Sequence, residues 1–316
     1  MVGDRQRDGD GWRLGPADRD QLAGRVLPLV LGGYLRTFRG FEPAVRADVD
    51  IEDLHRFRVS LRRARSLMAV GDRVFPAEEL ELLRALSTSV MDRTSPVRDL
   101  DVLCVEMPRL GRRVVPELSD GVDPLSAALR DRRAAAFAEL VDALDGERYA
   151  VLLRRWEVMS TVFRVGGGEP GPDARRRAGP VVDRLILRSF VRLRSRGRTA
   201  VGSDDRVAWH DLRKALKRFR YLAAGFAPMY PDESFEKVLK QLSALQDELG
   251  RLQDCHVQAQ IVEDVGAAVG GQAGLVAGVI ADLLHRDSET ALARCASLWS
   301  DFDRPGLRRH LHDLLE

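Results

Sequence analysis

The stretch 209-WHDLRKALKRFRYL-222 carries His210, Arg213, Lys214, Lys217, Arg218 and Arg220, with Asp211 as its one acid. Laid on a helix at about 100° per residue, His210, Arg213, Lys214, Lys217, Arg220 and Tyr221 share one arc. Leu212, Leu216 and Phe219 fall on the opposite side, with Trp209 just beyond them. Such a helix buries one stripe and shows another that is cationic from end to end. Earlier in the chain stands 54-LHRFRVSLRRARSL-67. There His55, Arg58, Arg62 and Arg65 share the basic arc, Arg63 completes a basic pair, and Leu54, Phe57, Leu61, Ala64 and Met68 form the apolar one.

Both segments place a histidine first, an arginine three residues on, and paired bases at the seventh and eighth steps. The offset of 155 residues from His55 to His210 holds without a gap for about fifty positions. It pairs Leu61 with Leu216, Phe75-Pro76 with Tyr230-Pro231, Asp92 with Asp247, Asp99 with Asp254, and Val102 with Val257. A duplicated helical unit explains this match.

Period-two alternation and hairpin dipeptides are nearly absent from the rest of the chain. Apolar residues instead recur at three and four, as in Leu80, Leu83, Leu86 and Val90. The expected fold is all-α, in two pseudo-symmetric helical halves around a basic central cavity. Helices are expected near 21–40, 50–70, 77–94, 97–110, 123–145, 147–162, 180–197, 205–226, 232–250, 253–268, 273–299 and 305–315. Residues 1–20 are polar and read as disordered. A Gly/Pro-rich linker at 166–179 divides the half 21–165 from the half 180–316, because neither residue extends a helix without cost. Phe75-Pro76 and Tyr230-Pro231 read as helix stops with an aromatic plug. The spacing of Gly270, Gly274 and Gly278 predicts close helix packing.

Net charge is only +2, so the placement of charge is more informative than its sum. Of 50 basic residues only Lys214, Lys217, Lys237 and Lys240 are lysine, and two of these lie in the second basic helix. Cys104, Cys255 and Cys295 are too few and too scattered for a disulfide framework, which fits a reducing cytoplasm. The most hydrophobic stretch, about 265–281, is too short to span a bilayer comfortably.

A charged helix face is ordinarily a solvated one, but solvated faces mix signs, as EELELLR at 78–84 does. Like charges such as Arg58/Arg62 and Arg213/Lys217 cost a helix about 0.2–0.5 kcal/mol per pair. A stripe that accepts this cost twice, at matching positions, points to an anionic ligand. Upstream, 187-LRSFVRLRSRGR-198 adds Arg188, Arg192 and Arg196, which would flank a shared groove if the segment pairs with helix 205–226. Its first-half counterpart is weaker, with Arg36 and Arg39.

The two histidine-led helices, with VRDLDV at 97–102 and LQDCHV at 252–257, resemble the signature segments of the CHAD domain, the conserved histidine α-helical domain. The resemblance runs from about residue 21 to the C-terminus. It implies two four-helix bundles about a pseudo-twofold axis, and binding of inorganic polyphosphate, in some members at polyphosphate granules. Some members carry a triphosphate-tunnel catalytic domain in front. This chain has no Glu-x-Glu-x-Lys strand, so the expected role is non-catalytic binding. Val59 stands where its mate is Lys214, so the two halves are expected to grip unequally.

The residues expected to hold the polymer are His55, Arg58, Arg62, Arg63, Arg65, Arg188, Arg192, Arg196, His210, Arg213, Lys214, Lys217, Arg218, Arg220 and Tyr221. Arginine supplies bidentate contacts to phosphate and lysine supplies point charges. No cofactor or metal is expected: neither stripe histidine has a ligand residue four positions away, and His310 and His312 point to different helix faces. Asp99 and Asp254 are expected to orient basic side chains by ion pairs. A general RNA or DNA binder and a helical scaffold for protein partners are the competing functions. The first lacks stacking aromatics other than Tyr221.

Overall fold

The computed structural model describes residues 14–161, 169–203, 205–231, 235–304 and 315. Among them the chain is all-α, with nine α-helices and no strand beyond an isolated bridge between Leu22 and Arg177. The helices are α1 (Ala23–Ala47), α2 (Ile51–Met68), α3 (Ala77–Gly111), α4 (Val122–Asp145), α5 (Glu147–Thr161), α6 (Ala178–Val201), α7 (Arg206–Phe226), α8 (Glu236–Val269) and α9 (Gly271–Phe302). The helix expected at 305–315 lies almost wholly outside the described residues.

Local chemistry accounts for the helix ends. Asp50 accepts a hydrogen bond from the Glu52 amide at 2.9 Å and opens α2. Asp205 accepts from the Val207 amide at 2.8 Å and opens α7. Each side chain satisfies an amide that the helix itself leaves unpaired. The two caps stand 155 residues apart, as do the first residues of α1 and α6 and of α2 and α7.

Two expected breaks do not occur. Segments 77–94 and 97–110 are one helix, α3, which runs through Pro96, and 232–250 and 253–268 merge into α8. Proline removes one ladder bond, but Thr94 and Val97 are buried on either side of it and Arg58 bonds to both Thr94 and Ser95. Tertiary packing outweighs the local penalty.

The hydrophobic core is not divided at the linker. One cluster joins α1, α2, α5, α6 and α7 with the N-terminal parts of α3 and α8 and the C-terminal parts of α4 and α9. A second joins the C-terminal parts of α3 and α8 to α4 and α9. The long helices therefore tie both halves into both clusters.

The segments expected to be loose are pinned where they are described. Residues 16–20 form a 3-10 turn in which Arg19 makes a two-pronged ion pair with Asp183, at 2.8 and 3.1 Å. Tyr230 follows the 3-10 turn that ends α7 and is buried against Phe235, the expected aromatic plug, and it also donates its hydroxyl to the same carboxylate at 2.5 Å beneath the Arg19 guanidinium. Pro76 is the N-cap residue of α3 and so marks a start. In the linker, buried Asp173 pairs with Arg73 at 2.7 Å, Arg184 at 3.1 Å and Arg176 at 3.2 Å.

Of the three glycines expected at a close packing, Gly274 is at one: a Cβ there would lie 3.2 Å from the Gly266 carbonyl oxygen. Gly270 turns the chain between α8 and α9 at φ +70°, and Gly278 faces open space. The close crossing of α8 and α9 is made by Gly266, where an added Cβ would stand 2.1 Å from that of Ala277. Gly197 is tighter still, because a Cβ there would meet the Trp299 ring at 2.0 Å. Gly197→Ala is therefore expected to destabilise the fold by about 1–3 kcal/mol. Urea denaturation measures this, and an unchanged midpoint would mean the indole moves aside freely.

Candidate anion-binding site

Helices α2 and α7 pack against each other, and their basic stripes meet along that seam. Arg58 and Arg62 of α2 lie within electrostatic reach of Arg213 and Lys217 of α7. Asp99 of α3 and Asp254 of α8 are the nearby acids. Contrary to expectation, neither carboxylate comes within 4 Å of a cation, so they temper the seam without pairing any of its charges.

Each cation is held by the fold rather than by an acid. Arg58 is only 3% exposed, and its Nη1 donates to Thr94 Oγ1 at 2.5 Å and to Ser95 Oγ at 3.2 Å. Among the described residues, the side chains of Arg62, Arg213 and Lys217 make no hydrogen bond or ion pair. Burial and the neighbouring Arg62 push the Arg58 guanidinium down to about 9, which still leaves it charged at neutral pH. Burial, Arg213 and Arg62 push the Lys217 ammonium down to about 6. Burial and the surrounding cations disfavour the charged form, and no paired acid restores it.

Around this centre the other expected residues divide. Arg65 Nη1 donates to Thr88 Oγ1 at 2.7 Å on α3. Arg220 sits beside Asp247 and Tyr221. The two histidines differ. His55 lies beside Arg98 and is pushed down to about 4, by burial first and by that guanidinium next. His210 instead shares a hydrogen bond of 2.7 Å between its Nδ1 and Gln253 Oε1. Arg98 and Gln253 are mates at the 155 offset, and sequence reasoning missed both. The offset that located the stripes would also have found them.

Arg63 turns away from the seam towards Tyr34 on α1. Arg218 faces Arg192 of α6 and Arg84 of α3. Arg196 and Lys214 both pair with Asp211, at 3.5 and 2.7 Å, while Arg188 is exposed and unpaired. The α6–α7 pairing therefore forms as expected, but none of the α6 arginines is among the main charges acting on Arg58, Arg213 or Lys217.

Seven buried side-chain atoms among the described residues lack a hydrogen-bond partner. Four are oxygens outside the stripes. The three nitrogens are Arg58 Nε, Arg213 Nε and Arg220 Nη1, all on stripe arginines. Leaving a buried donor unmatched costs about 1–3 kcal/mol, so the fold concentrates its unmet donors where the positive charges converge.

Among solved structures, the fold is similar to a CHAD domain from the plant Ricinus communis, with a TM-score of 0.64 and 23% identity over 98% of this chain and 97% of that one. It is also similar to PptA from Streptomyces chartreusis, with a TM-score of 0.66 and 17% identity over 89% of this chain and all of the other. No curated protein matches the sequence significantly. The family model of the CHAD domain matches residues 29–263, a span that contains both basic helices and the two acid-bearing segments packed on them, and the chain belongs to the CHAD-domain family.

Proposed function

We propose that the protein binds inorganic polyphosphate, without turning it over, along the seam between α2 and α7, and that the two halves arose by internal duplication. The observation that carries this reading is the set of three orphaned guanidinium nitrogens on Arg58, Arg213 and Arg220. The orphans mark where the fold holds guanidiniums without an acid, and a phosphate chain against Arg62, Arg213 and Lys217 neutralises cations that otherwise repel one another. Asp99 and Asp254 keep the free seam from flying apart without competing for its donors. The matched caps Asp50 and Asp205 and the matched helix starts support the duplication.

Arg62, Arg213 and Lys217 are the groups assigned to the phosphoryl oxygens, with Arg58 as a buried positive anchor. His55, Arg65, His210, Arg220 and Tyr221 extend the row at either end. A cytoplasmic setting, at polyphosphate granules, suits such a receptor. A nucleic-acid ligand is disfavoured because Tyr221 is the seam's one aromatic residue available for stacking bases.

Competition tests the reading. Immobilised protein is challenged with long-chain polyphosphate and with RNA of matched charge while salt is varied. Polyphosphate is expected to win, with an affinity that falls steeply with salt. Each seam cation removed is expected to lower the slope of log K against log salt by about one. RNA winning at every salt concentration would overturn the assignment, and a shortened polymer after incubation would overturn the non-catalytic part.

A further inference from the structure

The arginines that leave the seam are collected elsewhere. On α6, Arg188, Arg192 and Arg196 stand four residues apart, so they line one face over about 12 Å. The ion pair from Arg196 to Asp211 and the approach of Arg192 to Arg218 set this row alongside α7. There it meets Lys214 and Arg218, which lie about a third of a turn around α7 from Arg213 and Lys217. The outcome is a strip of five cations along the α6–α7 pair, with Arg188, Arg192 and Lys214 exposed and Arg218 half-buried where it also faces Arg84 of α3. Asp211 is the one carboxylate paired to any of them. Neither Arg188, Arg192 nor Arg218 makes a hydrogen bond or ion pair.

This contrasts with the cations on the far side of the same helix. Arg194 and Arg198 of α6 both bond to Asp303, at 2.6 and 3.1 Å. The strip also lacks a mate in the first half. At the 155 offset Arg188, Arg192, Arg196 and Lys214 correspond to Gly33, Thr37, Phe41 and Val59, leaving only Arg63 opposite Arg218. It is therefore no by-product of the repeated pattern.

We propose that this strip is a second surface for a linear phosphate polymer, which holds another segment of a long chain whose first segment lies in the seam. The proposal rests on the seam reading above. Bases have nothing to stack on here, since the exposed neighbours on α6 are Leu187 and Val191. The strip therefore suits a polyanion that is all backbone. With two surfaces engaged, the second contact is intramolecular, and affinity for a chain long enough to reach both exceeds that of either surface alone. Segments from different chains would instead be cross-linked.

The test compares wild type with R188E/R192E, both surface positions, against a short oligophosphate, long-chain polyphosphate and duplex DNA. Affinity is read by calorimetry and cross-linking by light scattering. The variant is expected to lose at least tenfold more affinity for the long chain than for the short one, and to stop scattering on mixing, with R188K/R192K restoring both. Equal losses for short and long chains, or undiminished scattering, would overturn the proposal. So would a loss confined to duplex DNA, which would make nucleic acid the occupant. Wild-type protein that binds no oligophosphate of any length removes the seam reading as well, whereas failure in the long-chain arm alone removes only this one.

Discussion

R62E/K217E is expected to weaken polyphosphate binding by at least a hundredfold while leaving helicity unchanged. These positions are mates at the 155 offset, and they face each other's helices at the centre of the seam. At neutral pH three guanidiniums stand there against Asp99 and Asp254, and the Lys217 ammonium joins them when the polymer binds. The double reversal leaves two cations against four acids, so the local balance goes from net positive to net negative. Each lost charge-assisted hydrogen bond is worth about 1.5–3 kcal/mol, and two such losses amount to a factor of about a hundred or more. Neither side chain makes a hydrogen bond or ion pair, so the fold loses no polar contact. R62K/K217R should keep most of the affinity. An isotherm for R62E/K217E that overlays wild type would place the ligand elsewhere.

Binding at pH 7.5 is expected to take up close to one proton, and Lys217 is expected to carry it. In the free protein this ammonium is pushed down to about 6 by burial and by Arg213, Arg62 and Arg58, with Asp254 as the opposing charge. It is therefore mostly neutral above pH 7. A polyanion in the seam reverses that balance and restores the proton. Between pH 6.5 and 8.5 the affinity should fall by up to about tenfold per pH unit, the limit for one linked proton. Calorimetry in buffers of different ionisation enthalpy reads the uptake directly. Identical apparent enthalpies in every buffer would refute it, and K217M should abolish the buffer dependence. His55, at about 4, stays neutral through this range and contributes nothing to it. The sign for the unliganded fold is opposite. Because the folded-state pKa of Lys217 lies below its unfolded value, the unfolded chain binds more protons from about pH 6 upward. Lys217 therefore makes the free protein more stable as pH rises from 6 to 9. Bound polymer should stabilise most at the acid end of that range.

What could be read in advance varied with how far each feature reaches in space. Helical periodicity is local, so the all-α class and the span of α7 followed from the residues themselves. The 155-residue repeat is a property of spacing alone, and it put Arg58, Arg62, Arg213 and Lys217 among the fifteen residues expected to hold the polymer. Pro96 misled because a local penalty was opposed by distant burial and by Arg58 reaching across from α2. Gly266 was missed because only its crossing with α9 makes a missing Cβ necessary.

The site residues divide along the same line. One helix face is a wide arc, and the sequence placed Arg62 and Arg218 in a single list because both are basic and both sit near a histidine-led motif. Alone it determined that two cationic stripes exist, 155 residues apart. Which stripe residues converge, which donors are left orphaned and which arginines slip round to α6 was decided by packing. Those outcomes depend on what α3, α6 and α8 press against each side of α2 and α7, and a helix carries no record of its neighbours until the chain has closed around it.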